Sequence, residues 1–128
     1  MIKISTLLAG HAVPFGPPGH FSAIHKTPVA GKVRVEVNGL VCDQQGDRAR
    51  HGGPEKALHH YPLDHYASWI AEHSEFATLL EHPGAFGEHL STLEMTEEHV
   101  CIGDIYRART ALLQVSQARQ PCWKLNVR

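Results

Sequence analysis

The chain has 128 residues, enough for one domain with a single core and too few for two. Its 42% hydrophobic and 20% charged residues are those of a globular protein. A formal net charge of -1 offers no basic field for a nucleic acid polymer and no charged tail for a membrane surface.

Met1 to Gly10 carries one lysine and an apolar run too short for a signal peptide or a membrane span. Ile2, Ile4 and Leu7-Leu8 predict a first strand over residues 2–8. Residues 10–20 hold three glycines and three prolines and read as loop. Phe21 to Val29 predicts a second strand, ending near Pro28. Residues 32–37 place valine at every second position with charges between, the cleanest strand pattern in the chain. Asn38-Gly39 then signals a two-residue turn into Leu40-Val41-Cys42, a hairpin.

Gly46 to Lys56 is polar and loop-like. From Ala57 to about Glu81 the pattern is helical, with the main helix expected over 62–81 and Pro62 in its first turn. Tyr66, Trp69, Ile70, His73, Ala77 and Leu80 form one apolar stripe that packs into the core. Pro83-Gly84 breaks the chain, and strands follow at 86–90, 100–108 and 111–116, with a bulge or bend at Gly103-Asp104. Several short strands and one inserted helix predict a mainly β (α+β) fold, a β-barrel occupying residues 1–128 as one domain.

Three cysteines, at 42, 101 and 122, are odd in number and show no CxxC pairing, which points to free thiols in a reducing cytoplasm. Eleven histidines include no HExxH pair, and those at 11, 20, 25, 73, 82 and 99 read as surface or satisfied polar positions. His51, His59 and His60 keep more interesting company, and a zinc or nickel site built from them is one reading, though no ligand spacing supports it.

Cys122 follows Pro121, with Arg119 three residues before it and Lys124 two after. Proline fixes the backbone, and the two cations favour the thiolate, the form that is both nucleophile and soft-metal ligand. Its pKa is expected below the ~8.5 of a free thiol, whereas Cys42 and Cys101 are expected to be inert and partly buried. In the segment from Asp47 to Tyr61, Gly52-Gly53 lets backbone approach a ligand, with Arg48, Arg50 and Lys56 around it and a helix starting soon after. Glycines, cations and a helix start suit a phosphate, although the spacing of a Walker A loop is absent. Glu88, in the stretch from Pro83 to Leu90, is a candidate acid–base group or an acceptor for a heterocycle, and Asp104 is a turn residue.

HGGPxKAL, FGExL, xxGDxY and QxRxPCxKL, in that order between about Ile24 and Leu125, resemble the MOSC domain. That domain is named for the C-terminal part of molybdenum cofactor sulfurases, and the similarity is to the bacterial subgroup associated with resistance to N-hydroxylaminopurines. The resemblance implies a β-barrel binding the molybdenum cofactor (molybdopterin), with Cys122 as catalytic metal ligand. It also implies His51, Gly52, Gly53, Lys56 and Arg119 as cofactor anchors, with Glu88 beside them. It further implies reduction of N-hydroxylated small molecules with electrons from a partner redox protein. The alternative is a non-catalytic carrier of cofactor or sulfur. Pyridoxal phosphate, also attached to the family, finds no lysine in a Schiff-base setting here. Two departures stand out. His89 replaces the asparagine of the usual FGENL, and the subgroup's pattern continues with further strands and a helical tail, so a C-terminal part of the domain is expected to be absent. His51 to Lys56 and Arg119 to Cys122 are expected to converge on one concave pocket.

Overall fold

Residues 2–46 and 52–119 are described by the computed structural model. In chain order the first strands are β1 (Ile4–Ala9), β2 (Val13–Pro14), β3 (Phe21–Ser22), β4 (Thr27–Pro28), β5 (Val35–Glu36) and β6 (Gly39–Leu40). A 3₁₀ turn at Pro54–Lys56 precedes β7 (His60–Pro62) and the helix α1 (Asp64–Glu72). Further 3₁₀ turns at Ser74–Phe76 and Leu79–Glu81 lead to β8 (Leu90–Thr92), β9 (Ile105–Ala108) and β10 (Ala111–Gln114).

Four strands form the central sheet in the order β4-β1-β8-β7. β1 runs antiparallel to β4 and to β8, while β7 and β8 are parallel. Parallel neighbours need a long crossover, and α1 with its trailing turns supplies it. β8, flanked on both sides, is buried at all three residues. Tyr66 from α1, Leu80 and Ala85 make the main apolar cluster, with Tyr61, Leu63, Ile70 and Phe86 packed against it. Tyr61 and Phe86 stack at 4.2 Å, and Tyr66 meets Phe86 edge-on at 5.6 Å. The remaining strands pair as β2-β3, β5-β6 and β9-β10.

The expected helix over 62–81 is shorter. It ends at Glu72, where His73 turns to φ -136 and closes the last helical bond on the Trp69 carbonyl at 2.8 Å. The break lets Leu80 swing back beside Tyr66, whereas Trp69 stays 39% exposed instead of joining the core. Pro62 belongs to β7, not to the helix. The predicted strand over 21–29 divides into β3 and β4. The valine repeat pairs only at Val35-Glu36, and the hairpin turns on Val37-Asn38, one residue earlier than expected. Gly39 is needed elsewhere: with φ 130 it lies where a Cβ would stand 2.7 Å from the Ala57 carbonyl oxygen. The fold is therefore α+β and strand-rich, but among the described residues the sheet ends at β4 and β7 and forms no closed barrel. No helix among them is long and apolar enough to cross a membrane.

Candidate functional site

Gly53 takes φ 90, and Pro54 follows at the first position of the 3₁₀ turn, where its fixed φ suits the geometry. The Lys56 N–H donates to the Gly53 carbonyl at 3.1 Å, closing the turn. Nothing lies within 4 Å of the place a Gly53 Cβ would occupy, so one side of the backbone is open. The other side is held by the chain after β10. Ser116 Oγ donates to the Glu55 carbonyl, and Arg119 Nη2 donates to the Lys56 carbonyl at 2.9 Å. Gly52, Gly53, Pro54, Glu55, Lys56 and Gln117 line a hollow of about 380 Å³ there.

Four expected site residues, Gly52, Gly53, Lys56 and Arg119, are thus brought together across 63 residues of sequence. His51 and Cys122 lie outside the described residues, as do Arg48, Arg50, Pro121 and Lys124. One element of the expectation changes. The segment opens a single 3₁₀ turn and not a helix, since α1 starts only at Asp64, so no helix macrodipole acts at Gly52-Gly53. What the turn offers an anion is its glycine backbone and the Lys56 and Arg119 cations. Burial draws the Arg119 guanidinium below its usual range, yet an arginine stays charged.

Behind the turn lies a buried charge network with no expected site residue at its centre. Lys26, Asp43 and His89 side chains are 5%, 4% and 6% exposed. Asp43 Oδ1 accepts from Lys26 Nζ at 2.9 Å and from the Gly10 N–H at 2.8 Å, while Oδ2 accepts from His89 Nε2 at 2.7 Å. His89 Nδ1 accepts the His59 N–H at 2.9 Å, so the ring is the neutral tautomer with its hydrogen on Nε2. Burial alone raises the Asp43 carboxyl, but His89, Lys26 and Gly10 outweigh it and bring it to about 2. Burial lowers His89, against the pull of Asp43. Burial and then the Arg119 charge lower His59 to about 3, despite its hydrogen bond with the Gly87 backbone. Burial likewise lowers Lys26, which its partner Asp43 opposes. With both imidazoles neutral, Lys26, Arg119 and Asp43 leave one positive charge in excess, the sign an anionic ligand needs.

Glu88 has a different place from the one expected for a cofactor contact. It is fully buried, and its carboxylate accepts from Tyr66 Oη, from the Gly84 and Phe86 N–H groups at 2.8 and 3.0 Å, and weakly from Ser91 Oγ at 3.4 Å. Tyr66 Oη also accepts the Ala85 N–H at 3.1 Å, so the pair satisfies the amides of the 84–86 bend. Burial, then the hydrogen bond to Glu88, raises Tyr66 strongly. His60 Nε2 meets Thr92 Oγ1 at 2.7 Å across the β7-β8 pair, and among the described residues no three His, Cys, Asp or Glu are placed to hold a metal ion. Asp104 is the turn residue expected: it accepts the Cys101 N–H at 2.9 Å and returns its own N–H to the Cys101 carbonyl at 3.1 Å. Cys42 and Cys101 are both exposed and not partly buried, because each falls in a turn beside its strand. Lys26 and Asp43 carried no local pattern, and the one visible signal for the network was the histidine at 89 in place of asparagine.

Residues 47–128 match the MOSC domain family. Protein YiiM of Escherichia coli (strain K12) is 50% identical over 110 residues, covering 86% of this chain and 49% of that protein. Its crystal structure superposes with a TM-score of 0.75 at 38% identity, over 98% of this chain and 50% of that one. The crystal structure of YiiM from Geobacillus stearothermophilus gives a TM-score of 0.73 at 37% identity, over 98% of this chain and 55% of that one. A Gibberella moniliformis protein named Reductase is 44% identical over 108 residues, 84% of this chain and 19% of that protein. The chain spans about half the length of the E. coli relative and about a fifth of the Gibberella one.

Proposed function

Because the chain belongs to the MOSC domain family, in its bacterial YiiM-like subgroup, we propose that it binds the molybdenum cofactor in the hollow beside the Pro54–Lys56 turn and serves the reduction of N-hydroxylated bases or related compounds. One observation carries this reading: Arg119 reaches the Lys56 carbonyl at 2.9 Å, so a cation-bearing turn and the segment leading to Cys122 share one hollow. The described residues fit the anionic end of a pterin cofactor. The open side of Gly53 admits an oxygen, Lys56 and Arg119 supply charge, and the Lys26–Asp43–His89 network behind them is neutral and does not oppose it.

When bound, the cofactor supplies the redox metal, and a Cys122 thiolate is the soft ligand suited to it. The chain's own residues do the rest. Gly52, Gly53 and Lys56 hold the anionic end, and Arg119 braces the turn from behind while contributing charge. His51 belongs to the same anchor by its place in the motif. Glu88 supports the site at one remove, by fixing the 84–86 bend next to His89. In this reading the four-stranded sheet is one wall of a barrel, to which further strands add at β4 and β7, whose outer edges are unpaired among the described residues and so invite pairing. The substrate is a small N-hydroxylated molecule, the electrons come from a partner redox protein, the setting is cytoplasmic, and the role is detoxification. A relative named Reductase, sharing 44% identity over 108 residues, supports the class of chemistry.

The reading is tested by assaying the chain, purified from a cofactor-producing host, with a reduced viologen and an N-hydroxylaminopurine. Two electrons and two protons convert the hydroxylamine to the amine and release water. Amine formation that depends on Cys122 is the expected result. Bound cofactor without turnover replaces the reductase with the carrier, and absence of both overturns the proposal.

A further inference from the structure

We infer that His89 is a positioning residue that clasps both ends of the segment 43–59 and so sets the Pro54–Lys56 turn against Arg119. The inference rests on reading that turn as the cofactor's anion site. The segment is docked where it begins. Gln44 N–H donates to the Gly10 carbonyl at 2.9 Å, and the Ala12 N–H donates to Gln44 Oε1 at 2.8 Å. At Gly46 the chain lies so close to β3 that a Cβ would stand 2.6 Å from the Phe21 carbonyl oxygen and 2.7 Å from Ser22 Cα. It is docked again where it ends, since the His59 carbonyl accepts the His89 and Leu90 N–H groups at 2.8 and 3.1 Å.

A single imidazole joins the two. His89 Nε2 donates to Asp43 Oδ2 at 2.7 Å, and Nδ1 accepts the His59 N–H at 2.9 Å. Only a neutral ring does both, because an imidazolium has no acceptor. Lys26 completes the anchor by holding Asp43 charged from the β3-β4 side. Between the two docked ends the chain carries Gly52, Gly53 and Lys56, so their distance from Arg119 follows from the clasp. Asparagine, usual at this place in the family motif, puts its amide where Nδ1 sits and is too short for Asp43. Glutamine reaches Asp43 but gives up the Nδ1 position. Substitution therefore separates the two halves of the clasp.

The test follows inorganic phosphate binding at the Gly53 and Lys56 amide resonances, together with hydrogen exchange at the Gly10, Gln44 and His59 amides. Wild type is expected to bind phosphate at the turn. His89→Leu should weaken it by about tenfold or more, as for groups that orient a metal's ligands from outside, and should speed exchange at all three amides. His89→Asn should restore protection at His59 only, and His89→Gln at Gly10 and Gln44 only. Should the leucine variant fail to fold, the asparagine and glutamine pair decides. Wild-type affinity and unchanged exchange in these variants would overturn the clasp. Arg119→Ala should weaken phosphate without altering exchange at the three amides. If wild type shows no response to phosphate, the anion reading fails, while the exchange pattern still decides whether His89 clasps the segment.

Discussion

Glu88 and His89 are neighbours that turn to opposite tasks just before β8. Glu88 collects loop amides and the Tyr66 hydroxyl inside the core, while His89 faces Asp43 and His59. Both tasks depend on buried charge, and that makes single substitutions costly. Asp43→Asn leaves Lys26 with its ammonium buried and its counter-charge gone, and a loss of about 3 kcal/mol is expected in urea unfolding. Replacing both with apolar residues, Lys26→Met with Asp43→Leu, should recover much of that loss, because the uncompensated charge goes with them. Glu88→Gln turns an amide hydrogen toward backbone donors. It should cost about 2–3 kcal/mol, a fall in Tm of roughly 10 °C. A change of only a degree or two would mean that the 84–86 amides find other acceptors.

Among elements, the segment entering the site depends on close approach more than on regular pairing. Gly46→Ala drives a methyl into the β3 backbone at 2.6 Å, and an overpacking loss of about 2 kcal/mol is expected, with faster proteolysis between β6 and β7. Undiminished stability would show that this chain can shift without disturbing the turn at Pro54. The elements differed in how plainly the sequence announced them. β1, the strands β9 and β10 and a helix near Tyr66 were legible because periodicity reports burial directly, though the pairing of β9 with β10 was not read. β7 was not, since His60-Tyr61-Pro62 has no alternation and pairs in parallel through a long crossover. The valine repeat at 33–37 misled for the converse reason: β propensity was present, but only two residues found a partner strand, and Val37 is left 73% exposed. At the site, the turn and Arg119 were legible as motif. The Lys26–Asp43–His89 network was not, because its members lie 17 and 46 residues apart and no spacing rule links them.

For the molecule as a whole, these groups set the response to acid. His59 is held near 3, below the ~6.5 of an unfolded histidine, so the unfolded chain takes the proton first as pH falls. Its contribution is complete above about pH 6.5 and is lost progressively toward pH 3, at about 1.4 kcal/mol per pH unit. Burial pushes His60 and His89 in the same direction. Asp43 adds a second window: its stabilisation is present above about pH 4 and disappears as pH falls through about 2. Stability should therefore begin to fall just below neutrality, and His59→Gln should flatten the slope between pH 6.5 and 4. An unaltered slope in that variant would assign the acid sensitivity to other groups.

We propose that the turn at Gly52–Lys56, Arg119 and Cys122 form one cofactor site. The most direct measurement is the molybdenum and pterin content of the chain purified from a cofactor-producing host. Equimolar metal and pterin are predicted in the wild type, with molybdenum lost from Cys122→Ser and pterin reduced in Arg119→Ala. A wild-type chain carrying neither, or a Cys122→Ser variant with wild-type molybdenum, would rule out this shared site.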